Sequence, residues 1–69
     1  MADYYVNKNT QDNGDHEVHK DPCSWMPVAV NRIYLGSFDK CQDAVQAAKK
    51  HYPTTANGCI HCSAACHTG

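Results

Sequence analysis

Cys59-Ile60-His61-Cys62-Ser63-Ala64-Ala65-Cys66-His67-Thr68-Gly69 is the stretch on which the reading of this chain turns. It carries three of the five cysteines and two of the five histidines in 69 residues. A chain this short buries only about 60% of its unfolded surface. A core of that size supplies roughly 3–5 kcal/mol on its own, so metal, disulfides or association are expected to make up the difference. The candidate core is thin: Val6, Val18, Trp25, Met26, Val30, Ile33, Leu35, Phe38, Val45 and Ile60, with some of the four tyrosines. How the tail is tied back therefore decides whether the rest can hold a fold.

Upstream of the tail, Phe38, Cys41, Ala44, Val45, Ala48 and Tyr52 recur at steps of three and four, which makes one apolar helical stripe. Ser37 is the expected N-cap, Asp39 suits the positive first turn, and Pro53 stops the run. A helix is thus expected over residues 38–51. Thr54-Thr55-Ala56-Asn57-Gly58 reads as the turn into the cysteine tail, residues 58–69.

The first half of the chain has the period of strands. Tyr4-Tyr5-Val6-Asn7-Lys8 leads with aromatic and β-branched residues, and Gln11-Asp12-Asn13-Gly14-Asp15 is a turn signal. His16-Glu17-Val18-His19-Lys20 reads as the return strand. Alternation puts Val18, Tyr4 and Val6 on one face and Glu17 and His19 on the other. His16 and His19 are expected on a solvated hairpin surface. Asp21-Pro22-Cys23-Ser24-Trp25-Met26-Pro27 is a loop bracketed by prolines, with Trp25 and Met26 expected to plug one end of the core. Residues 32–35 make a third strand, ended by Gly36. The fold expected is α+β: a single domain over residues 1–69, with a small three-stranded antiparallel sheet (4–8, 16–20, 32–35), one helix on one face and the tail folded back. If the third strand lies antiparallel to the second, the helix returns the tail toward the loop that holds Cys23.

Over nearly its whole length the chain resembles a family of short bacterial proteins of unknown function. The likeness is carried by Tyr4-Tyr5-Val6-Asn7-Lys8-Asn9, Asn13-Gly14-Asp15-His16-Glu17-Val18-His19, Tyr34-Leu35-Gly36, and the Asn57-Gly58-Cys59 to Cys66-His67 tail. It implies a bacterial single-domain protein and brings no activity or site with it. Tyr34-Leu35-Gly36-Ser37-Phe38, followed by an alanine-rich helix, is also similar to the strand-to-helix corner of peptidoglycan-binding SPOR domains. Those domains are longer, so the likeness is one of local geometry.

The chemistry lies in the sulfur. A structural zinc site takes four thiolates or imidazoles, with pairs spaced Cys-x2–4-Cys. Cys59 and Cys62 fit that spacing, and Cys66 lies one turn further on. Cys23, in its constrained loop, is the first choice for the fourth ligand; His67, His61 and His19 are the alternates. This set leaves Cys41 as a free thiol on the buried helix face, where cysteine behaves as a small hydrophobe. The competing reading is disulfides: five cysteines permit two bridges and leave one over, with Cys23–Cys41 or Cys23–Cys59 as possible pairings. A dithiol redox centre at Cys59-x2-Cys62 lacks the thioredoxin context, and Ser63 stands where c-type haem attachment needs histidine. An iron–sulfur cluster shares the thiolate spacings.

Other classes are disfavoured. The net charge is −1 and the six Lys and Arg are scattered, so no basic stripe points to nucleic acid. No apolar run reaches the ~18 residues of a membrane span. The N-terminus lacks the pattern of a signal peptide. The expectation is a cytoplasmic zinc-binding module that acts through a protein partner. No catalytic constellation is present to make a case for an enzyme. The alternatives are a disulfide-stapled extracytoplasmic binding domain, or a thiol redox or metal-handling protein.

Overall fold

The computed structural model describes residues 1–11 and 14–68. In chain order its elements are strands β1 (Ala2–Asn7), β2 (His16–Lys20) and β3 (Arg32–Phe38), helix α1 (Cys41–Ala48) and strand β4 (Ala56–Gly58). Single 3-10 turns lie at Ala29–Asn31 and Ala64–Cys66. Among the described residues no helix is long and apolar enough to cross a membrane.

β1 and β2 form the antiparallel hairpin that their alternation predicts, with Tyr4 opposite Lys20, Tyr5 opposite His19 and Val6 opposite Val18. Tyr4, Val6 and Val18 share the buried face. The turn expected at 11–15 falls partly on residues 12 and 13, which lie outside the described residues. Gly14 beside them has φ +86°, a region that L side chains seldom adopt.

The sheet differs from the expected three antiparallel strands. It has four, in the order β3-β1-β2-β4, and it is mixed. β3 pairs antiparallel with β1, not with β2. β4 pairs parallel with β2, setting His16, Glu17 and Val18 against Ala56, Asn57 and Gly58. Ala-Asn-Gly has almost no intrinsic strand preference, which is why this stretch reads as a turn. Its pairing is made by the backbone: the His16 N–H donates to Thr55 O at 2.8 Å and the Cys59 N–H to Val18 O at 2.9 Å. Parallel strands need a crossover, and α1 supplies it by carrying the chain from the β3 edge to the β4 edge.

The helix starts later than its stripe suggests. Ser37 and Phe38 end β3, and the Ser37 hydroxyl donates to Asp3 Oδ1 at 2.6 Å across the strand pair instead of capping. Lys40 is the N-cap, without a side-chain bond, and Asp43 rather than Asp39 sits in the first turn. Turns continue past Ala48, where Tyr52 N–H donates to Ala48 O at 2.9 Å. Cys41, Ala44 and Ala48 are buried, with Val45 and Tyr52 packed partly against them. Their small side chains let the helix approach Tyr4, Val6 and Val18 closely.

Several expected core residues stand outside. Trp25 is 62% exposed, Val30 77% and Ile60 53%. Trp25 does not plug the core; it stacks on His61 with ring centroids 4.9 Å apart. Val30 sits in the 3-10 turn that leads into β3. His16 is not on a solvated surface either: its ring lies 3.6 Å from that of Tyr52, stacked within 10°, and its Nδ1 is 2.9 Å from Asn7 O.

Candidate metal centre

Two local pieces of backbone build the site. The first is the end of β2 and the loop beyond it. Alternation turns His19 to the face opposite Val18, where it is fully buried. Three residues separate it from Cys23, whose carbonyl accepts from Met26 N–H at 3.0 Å and so closes the turn that presents the thiol. The second piece is the knuckle after β4. The Ser63 N–H donates to Cys59 O at 2.8 Å, which wraps residues 59–63 into one turn and sets Cys59 and Cys62 side by side. The β2–β4 pairing brings the pieces together. The Lys20 N–H donates to Cys62 Sγ at 3.3 Å, which ties the knuckle to the end of β2.

The ligand atoms of His19, Cys23, Cys59 and Cys62 all lie within 4.8 Å of one another, a group that could hold a metal ion. His19 Nδ1 is 3.6 Å from Cys23 Sγ and 3.9 Å from Cys62 Sγ. Zn–S and Zn–N bonds of about 2.3 and 2.0–2.1 Å at tetrahedral angles require S···N edges of about 3.6 Å and S···S edges of about 3.8 Å. The two S···N separations are at or slightly above that edge.

Burial holds two of the four donors in their neutral forms. Burial, followed by the neighbouring thiols of Cys23 and Cys59, pushes the Cys62 thiol up to about 12, against the lowering effect of the Lys20 N–H. Burial pushes the His19 imidazole down, so the ring is held neutral, the form that binds metal. On the far side of that ring, Nε2 is buried with no hydrogen-bond partner. Three sulfurs and a neutral imidazole crowded together match the borderline-soft preference of zinc.

The structure brings together Cys23, Cys59 and Cys62 of the expected set, with His19, which had stood among the alternates. Cys66 is elsewhere: it is disulfide-bonded to Cys41, with the Cα atoms 6.2 Å apart. Neither is therefore the free thiol or the ligand expected of it, and the bridge is not one of the two pairings considered. The helical stripe that buries Cys41 aims it at the 3-10 turn bearing Cys66, and no spacing rule shows that meeting. His67 Nδ1 instead lies 3.0 Å from Gly58 O, and His61 stacks on Trp25. The metal and disulfide readings each account for part of the cysteines.

Two signals in the sequence could have pointed to this grouping. His19-x3-Cys23 is a ligand-spaced pair in its own right, which the second pair, Cys59-x2-Cys62, completes. Gly58 is the other, because the knuckle folds back over it. A Cβ at Gly58 would come within 2.7 Å of Cys66 Cβ, 2.8 Å of Cys66 C and 2.8 Å of Ser63 O. Asn57 supports the same corner: its Oδ1 accepts from Gly58 N–H at 2.9 Å and Thr68 N–H at 3.0 Å, and its Nδ2 donates to Asp15 Oδ2 at 3.0 Å.

Comparison with protein-family models, with curated proteins and with solved structures finds no match to this chain.

Proposed function

We propose that the chain is a zinc-binding module in which His19, Cys23, Cys59 and Cys62 hold one ion that staples the C-terminal knuckle to the hairpin. The convergence of those four ligand atoms within 4.8 Å carries the reading. Four protein donors complete a tetrahedral sphere, so the ion's role is structural, and the work of the domain falls to its surface as an interaction module for a protein partner. Exposed Trp25, Val28 and Ile60 are among the apolar side chains available for such a contact. The test is metal analysis and native mass spectrometry of protein prepared with zinc present. About one zinc per chain is expected. Cys62→Ser and His19→Ala should lose stoichiometric metal, and Cys66→Ser should keep it. A wild-type protein without stoichiometric metal refutes the reading.

A second reading concerns compartment and is favoured by one observation, the Cys41–Cys66 disulfide. Disulfides persist in oxidising compartments, so the domain works outside the reducing cytosol, with zinc protecting the other three thiols. A thiol count on denatured, metal-stripped protein from its native compartment tests this: three free thiols support it, and five refute it.

A further inference from the structure

His19 Nδ1 faces the sulfurs of Cys23 and Cys62, so its other nitrogen, Nε2, points away from the site. Nε2 is wholly buried and lacks a hydrogen-bond partner. The group nearest to answering it is Glu17. Its Oε1 lies 3.7 Å from Nε2, and its side chain is only 17% exposed. Glu17 and His19 are two residues apart on β2, so the pleat sets both on one face, opposite Val18. An acid held that deep beside an unpartnered ring nitrogen is costly unless the two act together.

We infer that Glu17 is a positioning residue for the metal centre, accepting the Nε2–H of His19 and so directing Nδ1 at the ion. This rests on the zinc reading above. When Nδ1 binds metal, the imidazole proton must reside on Nε2, where water cannot reach it. A carboxylate acceptor stabilises that tautomer, fixes the ring plane and raises the basicity of Nδ1. The gap from 3.7 Å to a normal N–H···O length of about 2.9 Å is about 0.8 Å, within reach of a small turn of the glutamate side chain. The hairpin thus supplies both a ligand and its support from one strand, which explains why Glu17 is an acid on an inward-facing position.

The experiment is a zinc titration against a competing chelator on the wild type, Glu17→Ala and Glu17→Gln. It is paired with long-range proton–nitrogen correlation spectra of the His19 ring. Glu17→Ala should weaken zinc binding about 10- to 100-fold. It should also perturb the Nε2 resonance, while circular dichroism and the Cys41–Cys66 bridge stay intact. Glu17→Gln keeps an acceptor oxygen of the same reach and should recover most of the affinity. Unchanged affinity and ring resonances in Glu17→Ala would overturn the inference while leaving the zinc site standing. Equal losses in both variants would overturn it as well, by placing the effect in charge rather than in the hydrogen bond. A wild type that binds no zinc overturns the site and the inference together.

Discussion

Gly58→Ala adds one methyl group at the corner where β4 ends and the knuckle begins. That carbon would sit 2.7 Å from Cys66 Cβ, 2.8 Å from Cys66 C and 2.8 Å from Ser63 O. Ordinary carbon contacts need about 3.5–4.0 Å, so each of the three is short by roughly 1 Å. None is the end of a flexible side chain. Two are main-chain atoms, and the third is the Cβ of a cysteine bridged to α1. Gly58 cannot retreat either, since it is paired with Val18, its N–H is held by Asn57 and its carbonyl faces His67. Overpacking costs typically about 1–3 kcal/mol, and a site this constrained belongs at the upper end, about 3 kcal/mol. For a domain of this size that lowers the melting temperature by about 12–24 °C. The backbone that must move also carries Cys59 and Cys62, so zinc affinity should fall with it. Thermal melts followed by circular dichroism, with and without chelator, read the first effect; zinc competition reads the second. A Gly58→Ala protein melting within about 3 °C of wild type, with unaltered affinity, refutes the close-packed corner and the account of the knuckle built on it.

The Cys41→Ser, Cys66→Ser double variant opens a loop with a sequence separation of 25 and should cost about 3.5 kcal/mol by the chain-entropy account. It should retain its zinc, measured as melting temperature and metal content; loss of metal would show the bridge to be part of the site. The metal-stripped protein should be most stable between about pH 6.5 and 9. Below that window the unfolded chain takes up a proton that buried His19 resists, so stability falls as pH drops through the ordinary histidine value. Above the window the unfolded Cys62 ionises from its ordinary 9.0 while the folded thiol, pushed up to about 12, keeps its proton, so stability falls again. Melting temperatures from pH 5 to 10 in chelator check both limbs, and a flat alkaline limb would contradict the burial of Cys62.

The sequence by itself determined what local periodicity can encode. Period-2 alternation placed Tyr4, Val6 and Val18 together and put Glu17 with His19 behind them, because side chains on a strand have only two directions to point. Steps of three and four placed Cys41, Ala44 and Ala48 on one helical face for the analogous reason. Cys59-x2-Cys62 marked a ligand pair because a single turn is enough to bring its sulfurs together. What the tertiary structure alone decided involves partners distant along the chain. β3 lies on β1 rather than β2, and β4 on the far edge of β2, because α1 crosses over the sheet between them. Ala56-Asn57-Gly58 becomes a strand through backbone pairing with β2, although its composition signals a turn. That pairing sets Lys20 N–H against Cys62 and brings His19 and Cys23 to Cys59 and Cys62 across about forty residues. The same corner, open only because Gly58 has no side chain, turns Cys66 away from the cluster and onto Cys41. Which cysteine meets which depends on where the crossover sets the chain down, and that is a property of packing rather than of spacing.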